Sequence, residues 1–474
     1  MFKSNRVLRD VNLIDILKQR NLIQQSTKQV ITEKSKLTLY TGADPSAISL
    51  HLGNLVPLLL SFHLNLNNNN IILLSGGATG VLGDPTFKTN EREKKDLIQL
   101  EENGQAIARQ QENFFKNAIK YYQELNSTDV IYGEKTNDDI GTRKYVNNLN
   151  WFGDVKLLDF LHEYGSNFKI KELLSKESVK QRLNHVSANG GTDGSLSIKE
   201  FFYQVLQGYD FYHLYKHENC SGQIGGNDQW GNMTSGLEFM RRQTDISNEE
   251  QRFILSTPLI VDNAGRKFGK SEGNALFLNP KMTSIFDVYQ YFINAMDEDV
   301  ERYLKIFTLL SDEKIKEIID ATKLDKSKRY AHKVLASNIV HLIHGKKFVP
   351  LCEEFSQLLF NNKKLLEYLS THKDDKNLFE SFTQIYNFKQ FSEQDESDMF
   401  DIMKVLEPAL EERNIHACLQ NSFKFLNRDN KFEGLKYNEG KTTLKDVVEK
   451  CRKIDDRFVI FRVRKNSMMI VDII

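Results

Sequence analysis

LTLYTGADPSAISLHLGNLVPLLL, from Leu37 to Leu60, is the stretch on which the reading of this chain turns. Leu37 to Tyr40 is β-prone, and Gly42 with the Asp44-Pro45 pair breaks the run, which predicts a strand entering a tight turn. The apolar run Leu55 to Leu60 predicts a helix behind the turn, with Ser46 and Ser49 as caps and His51 and Asn54 on one side of its first turn. A helix N-terminus offers unpaired N–H groups and partial positive charge, Gly53 leaves the backbone approachable, and His51 and Asn54 carry donors. Such a set suits a polyphosphate. An ordinary strand-turn-helix with a surface histidine has the same residues, so a second stretch is needed to make a site.

Gly265 to Gly273, GRKFGKSEG, is short, polar and bounded by glycines, with Lys267 and Lys270 three residues apart and Ser271 beside them. It reads as a mobile loop that carries two ammonium groups onto a phosphate chain. Alone, a K-x-x-K of this kind is more often a solvated basic turn. Together the two stretches resemble the HIGH and KMSKS signatures of class I aminoacyl-tRNA synthetases, with Asn54 for the last histidine and Phe268-Gly269 for Met-Ser. SGGATGVLGDP (Ser75 to Pro85), YQVLQGYDF (Tyr203 to Phe211), QIGGNDQWGN (Gln223 to Asn232) and KFGKS, with Tyr40, narrow the resemblance to the tyrosyl-tRNA synthetases of bacterial and organellar type. It runs from about Val11 through the helical region after Pro280 and weakens beyond His344; HLGNLVPL is most similar to mitochondrial members from yeasts and related fungi.

The apolar run Ile71 to Leu74, between helical segments, suits a strand buried on both faces of a parallel sheet, and Gly76, Gly77, Gly80 and Gly83 follow it. The alternation predicts an α/β fold with a doubly wound parallel sheet and ligands beyond the carboxyl ends of its strands. The resemblance implies a Rossmann-like class I catalytic domain at 11–279, with an insertion at about 91–199 used for dimer contact and acceptor-stem grip. It further implies an all-α domain for the anticodon arm at 280–360, a linker at 361–397 and a small S4-like α+β RNA-binding module at 398–474. Helical spacing recurs at Ser284 to Met296, Val300 to Leu310, Asp312 to Ala321 and Arg329 to His344. Near the tail, Phe400 to Leu406 reads as a helix, Asn421 to Phe432 as a strand and turn, and Arg457 to Ile474 as a closing hairpin. Glu411, Glu412 and Asn414 stand where S4 modules carry an arginine-rich helix, a departure from the family. Ala188 to Ser197 reads as a flexible Gly/Ser-rich excursion, and residues 1–10, with Lys3, Arg6 and Arg9, as an N-terminal extension with the charge of a presequence remnant.

At 474 residues the chain is too long for a single core. Its 64 Lys and Arg balance 64 Asp and Glu, so any RNA site must be a local patch. One such patch is visible: Lys424 to Ile470 holds 13 Lys and Arg against 7 Asp and Glu. Cys220, Cys352, Cys418 and Cys451 lack CxxC spacing, which argues for reduced thiols and against zinc; His341 and His344 have no third ligand in view, so no metal site is expected. No apolar run is long enough to span a membrane.

Tyr203, Gln207 and Asp210 lie at i, i+4 and i+7, a polar stripe on an otherwise aromatic and apolar helix. Buried unpaired polar groups cost about 1–3 kcal/mol, so the stripe is either a pocket wall or a solvated face. The resemblance implies the former, with Tyr203, Gln207 and Asp84 on the tyrosine ammonium, and Tyr40 and Asp210 on its phenol hydroxyl. It places Gln223 and Gln229 against the tyrosine, Gln229 near the carboxylate, with Asn147, Asn148 and Trp151 supporting the pocket. ATP would meet Gly42, Asp44, Ser46, His51, Gly53, Asn54, Gly226, Asp228, Lys267 and Lys270, with Asp228 on a ribose hydroxyl. Lys88 and Arg92 occupy positions linked to pyrophosphate and tRNA, and Phe87 stands where a glycine is usual. His51, Asn54, Lys267, Lys270 and Ser271 are the implied catalytic group, ATP enters with Mg2+ as substrate, and no tightly bound cofactor is implied.

The implied function is tyrosine-tRNA ligase: tyrosine is activated to its adenylate and passed to tRNA(Tyr). A homodimer in the mitochondrial matrix is implied, with bacterial cytoplasm the other setting. Two alternatives stand at this point. One is another class I enzyme, tryptophanyl-tRNA synthetase or a small adenylyltransferase, against which Tyr40 with Asp210 and the long tail speak. The other is an RNA-binding relative such as a group I intron splicing partner, disfavoured as a sole role by His51, Lys267 and Lys270.

Overall fold

The computed structural model describes residues 12–32, 35–85, 96–176, 179–180, 196–244, 252–261, 265, 268, 270–271, 274–371, 379–406, 412–429, 431–454, 456–464 and 467–474. The N-terminal extension, Ala188 to Ser195 of the Gly/Ser-rich excursion, and Lys88, Arg92 and Lys267 lie outside these. Two compact units divide the chain: Met1–Lys270 with Ala275–Asn279 and Ala295–Ile343, and Ser271–Asn274 with Pro280–Asn294 and His344–Ile474. The stretch 280–360, expected as one helical domain, is thus shared between them.

The first unit is built on six strands: β1 (Gln25–Ser26), β2 (Thr38–Ala43), β3 (Asn70–Ser75), β4 (Arg143–Asn147), β5 (Gly222–Gly226) and β6 (Phe253–Thr257). Their order is β1-β6-β5-β2-β3-β4, and all neighbours are parallel except β1 with β6. Strand β6, FILST, is wholly buried and β3, NIILLS, nearly so, as continuous apolar runs in a sheet covered on both faces must be. The chain leaves β2 toward β3 and β4 on one side and later fills β5 and β6 on the other, so the winding reverses between β2 and β5. A crevice opens at such a reversal. Strand β4 lies inside the stretch expected as an insertion from about 91, yet it pairs with β3 from Ile71↔Arg143 to Ser75↔Asn147. That expectation is corrected: the sheet runs on to Asn147. Arg143, Lys144 and Tyr145 give this edge strand a half-polar pattern that apolar periodicity does not detect.

The Leu55–Leu66 helix is buried on all sides except at Pro57, which accounts for its apolar run. The polar tract behind it is an interior feature as well: Asn65, Asn67 and Asn69 are buried, and Asn69 donates to Leu64 O (3.1 Å) and Asn67 O (2.8 Å) while accepting from Leu37 N–H (3.1 Å). The asparagine amides replace backbone partners through the turn, and Asn68 takes the left-handed conformation at φ 61°.

The Ile198–Glu218 helix begins with Ser197 and Glu200 in a reciprocal capping box. It crosses the Trp230–Gln243 helix at Gly208 and Gly236, where a Cβ on Gly208 would stand 3.2 Å from Gly236 Cα. Ser284, Ser311 and Asp96 cap the Ile285–Ile293, Asp312–Leu324 and Leu97–Glu124 helices with side-chain acceptors. The basic loop ends in a small hairpin, β7 (Lys270–Ser271) with β8 (Asn274–Ala275).

In the second unit five strands follow the order β11-β10-β12-β13-β9, with β9 Lys389–Phe391, β10 Lys424–Leu426, β11 Phe432–Gly434, β12 Phe458–Arg464 and β13 Ser467–Ile473. The hairpin expected at 457–474 is β12 and β13, in register from Phe458↔Asp472. The stretch 361–397 is more than a linker: it holds the Asn362–Thr371 helix and strand β9, which pairs in parallel with β13. Its Tyr386 and Phe388 join Phe286, Phe355 and Phe458 in an aromatic cluster with centroid separations of 4.7–5.3 Å along the chain of contacts. Lysine and acid content concealed this packing, because the aromatics are unevenly spaced and show no helical or strand period. A Glu412–Asn421 helix stands where the arginine-rich element of S4 modules was sought. All four cysteines are buried and none is in a disulfide. Among the described residues no helix is long and apolar enough to cross a membrane.

Candidate active site

A cleft of about 510 Å³ opens where β2 and β5 part. Tyr40, Gly42, Asp44, Ser46, His51, Gly53, Asn54, Asp84, Tyr203, Gln207, Asp210, Gln223, Gly226, Asp228 and Gln229 all line it. Of the other candidate residues, Lys88, Arg92 and Lys267 lie outside the described residues, and Lys270 and Ser271 are described as backbone of β7.

One end is buried and closely bonded. Asp210 accepts from Asn148 Nδ2 at 3.0 Å and Trp151 Nε1 at 2.9 Å. Burial nevertheless pushes its carboxyl up to about 8, against the pull of those two donors. Tyr40 is 1% exposed, its hydroxyl has no hydrogen-bond partner, and burial followed by the nearby Asp210 raises its pKa well above the ordinary phenol value. Gln207 Oε1 is likewise buried and unpartnered. Orphaned buried polar atoms on a cleft wall are what a polar ligand would satisfy.

From Asp210 the bonds continue. Asn148 takes the Ala78 N–H on its Oδ1 at 2.7 Å and donates to Thr79 Oγ1 at 3.3 Å. Thr79 donates to Asp44 Oδ1 at 2.8 Å, and Tyr203 donates to Asp44 Oδ2 at 2.9 Å. Asp44, grouped with ATP from the sequence, therefore joins the polar stripe of the Ile198–Glu218 helix. Thr79 was missed by sequence reasoning; its only signal is its place inside the glycine-rich SGGATG run.

A second network lies beyond. Gln229 Nε2 donates to Asp84 Oδ2 at 2.6 Å and to Asp228 Oδ2 at 3.4 Å, and Asn232 donates to Gln229 Oε1 at 3.2 Å. Burial raises the Asp228 pKa, with Asp84 adding to the shift.

The other end of the cleft is open. His51 is exposed and precedes a 3₁₀ turn, Leu52–Asn54, that runs into the Leu55–Leu66 helix; Asn54 Oδ1 accepts the His51 N–H at 3.1 Å. Ser49, expected as a cap, is buried instead, donating to Leu50 O at 2.8 Å and accepting from Asn279 N–H at 3.1 Å. A Cβ on Gly53 would lie 2.8 Å from His51 Cε1, so this glycine makes room for the imidazole itself. Gln110, also missed, holds the approach through Leu50 N–H (3.0 Å) and Ile48 O (3.1 Å); nothing local on its charged helix marks it.

The chain just beyond the second signature stretch reaches the first here. Leu52 N–H donates to Leu276 O and Leu278 N–H to Leu50 O, both at 2.8 Å, so the segment leaving the basic loop pairs with the His51 segment. Phe268, at the position of the family's methionine, stacks on Phe307 at 4.7 Å and 17°, and its N–H donates to Ile260 O at 2.9 Å. The departure from KMSKS thus serves as an aromatic anchor for the loop.

A family model described as tRNA synthetases class I (W and Y) matches residues 32–361. The mitochondrial tyrosine-tRNA ligase of Saccharomyces cerevisiae is 39% identical over 360 residues, covering 74% of this chain and 70% of that protein. The chain belongs to the tyrosyl-tRNA synthetases. The tyrosine-tRNA ligase of Streptococcus gordonii matches over 465 residues at 33% identity, which is 97% of this synthetase chain and 100% of that one. Among solved structures, a C-terminally truncated mitochondrial tyrosyl-tRNA synthetase from Aspergillus nidulans superposes with a TM-score of 0.64 at 27% identity, over 73% of this chain and 94% of that chain. The fold is the class I synthetase fold, and the crevice between β2 and β5 is where this synthetase chain gathers its candidate residues.

Proposed function

We propose that the chain is a tyrosine-tRNA ligase: it condenses L-tyrosine with ATP to tyrosyl-adenylate and pyrophosphate, then transfers tyrosine to the terminal ribose of tRNA(Tyr). The observation that carries this reading is the unpartnered Tyr40 hydroxyl beside an Asp210 carboxylate fixed by Asn148 and Trp151. Such a site hydrogen-bonds a phenol and leaves buried groups unpaired with phenylalanine. For tyrosyl synthetases themselves that rejection is about 10⁵-fold, the reference value for comparison.

Tyrosine carboxylate attacks the α-phosphorus in line and pyrophosphate leaves; no residue forms a covalent bond. Asp84, Tyr203 and Gln207 hold the ammonium, with Asp44 orienting Tyr203 through its hydroxyl. Gln223 and Gln229 face the tyrosine, with Gln229 near its carboxylate. The adenosine and phosphates lie along Gly42, Ser46, Gly53, Gly226 and Asp228, with Asp228 on the ribose. His51 and Asn54, with Lys267, Lys270 and Ser271, offset charge as it moves onto the leaving group, and Lys88 and Arg92 flank the pyrophosphate and tRNA side. Mg2+ arrives with ATP as its counter-ion. Catalysis is positioning and charge compensation.

We place the enzyme in the mitochondrial matrix, a reading supported by its yeast and Aspergillus relatives. A homodimer is supported by exposed Leu157, Leu158 and Leu161 on one short helix and Ile170 on the next. The basic stretch in the second unit supports an S4-like RNA-binding role for residues 398–474.

The test is tyrosine-dependent exchange of pyrophosphate into ATP, with phenylalanine and tryptophan as controls. Exchange with tyrosine alone, followed by charging of mitochondrial tRNA(Tyr), is the expected result. No exchange from folded protein that still binds RNA would overturn the reading in favour of an RNA-binding relative.

A further inference from the structure

Asp210 owes its orientation to two donors, and they are held differently. Asn148 is fully buried and bonded on both amide ends. Trp151 is half-buried on a helix only four residues long, Leu149–Phe152. An indole N–H lies in the ring plane, so it reaches Asp210 at 2.9 Å only while that plane is fixed.

The fixing surface is on the Asp210 helix itself. His213, three residues beyond Asp210, lies flat on Trp151 with centroids 4.3 Å apart and planes 16° apart. His217, one turn further, follows it at 4.4 Å and 38°. Asp210, His213 and His217 thus form one stripe at i, i+3 and i+7. Burial and the neighbouring His217 lower the His213 pKa to about 4, so its ring is neutral near pH 7 and meets the indole as a flat uncharged surface.

We propose that His213 is a positioning residue for amino-acid selectivity: its ring sets the plane of Trp151 and thereby the Asp210 carboxylate that receives the substrate phenol. The inference rests on the reading of Asp210 given above. Because His213 and Asp210 ride on one rigid helix, the stack transmits its geometry to the carboxylate without touching substrate.

The experiment is pyrophosphate exchange with tyrosine and with phenylalanine for the full-length wild type, His213→Ala, His213→Phe, His213→Leu and Asp210→Ala. The expected result is a KM for tyrosine raised about five- to tenfold in His213→Ala and His213→Leu, with kcat within twofold and phenylalanine kinetics unchanged. His213→Phe, which restores a flat ring, recovers most of the loss. If leucine rescues as well as phenylalanine, the residue merely fills space and the proposal falls; the same holds if all three variants keep wild-type selectivity. Should His213→Ala fail to fold, the phenylalanine and leucine pair still decides. Selectivity kept by Asp210→Ala would overturn the reading of Asp210 itself, whereas selectivity lost there and kept in every His213 variant overturns only the inference.

Discussion

The two ends of the cleft are built on opposite plans. At the Asp210 end a carboxylate, an amide, an indole, a threonine and a second carboxylate are linked in one chain of bonds, buried at Asp210, Asn148 and Thr79. At the His51 end the key histidine is exposed, its neighbour Asn54 is occupied by the turn, and the glycine between them shelters the imidazole. The difference follows from the two tasks. Rejecting an amino acid that lacks one hydroxyl requires polar groups that stay buried and stay put, since only there does a missing bond cost its full desolvation. Handling a triphosphate and then an RNA terminus requires access, so donors there are brought to the substrate by segments that arrive from different parts of the chain.

That contrast can be broken most directly at its buried end. Asp210→Ala is expected to lower kcat/KM for tyrosine about 10³–10⁴-fold and to leave phenylalanine nearly unaffected, as exchange kinetics with both amino acids will tell. An equal loss for the two substrates would mean that the buried end is not the selective one. His51→Ala acts at the open end, where a fall of about 10²–10³-fold in kcat with an almost unchanged KM for tyrosine is expected. If tyrosine KM rose instead, the two ends would not be separate in function.

Smaller effects sharpen the comparison. Tyr40→Phe removes a buried hydroxyl without a partner, so it should raise the thermal midpoint while increasing the KM for tyrosine about tenfold. Calorimetry and kinetics on one preparation measure both. Asp210→Asn provides the pH test. Burial raises the folded carboxyl from its ordinary value of 3.8 to about 8, so the folded state binds the extra proton between these values. The stability that this protonation contributes is full below about pH 4 and is lost as pH climbs to about 8. Relative to wild type, the non-titrating asparagine should therefore gain stability from pH 4 to pH 8 and no more above that, a difference on the order of a few degrees in Tm. A pH-independent gap would mean that Asp210 is ionised throughout.

The sequence disclosed these two ends unequally. Tyr203, Gln207 and Asp210 showed a shared polar stripe by their spacing, which the family resemblance turned into a pocket wall, and the strand-turn-helix around His51 follows from Gly42, Pro45 and the Leu55–Leu60 run. Thr79 and Gln110 act through contacts with residues 35 and 60 positions away, and no local pattern encodes a long-range hydrogen bond. The same reason hid strand β4, whose polar edge pattern gains meaning only from pairing with β3, and β9, whose three residues find β13 some 80 positions later. The Asn67–Asn70 tract carries no local sign of its role either: the Asn67 and Asn69 amides bond to backbone carbonyls in the interior.

One contact joins these themes. Where the Ile198–Glu218 and Trp230–Gln243 helices cross, Gly208 and Gly236 let backbone meet backbone, with no side chain between them to be exchanged. The helix bearing Tyr203, Gln207 and Asp210 is therefore locked to the helix that follows Asp228 and Gln229. A bulkier residue at either glycine would have to push the amino-acid wall of the cleft away from its nucleotide wall, so the width of the cleft is set where its own lining side chains do not reach.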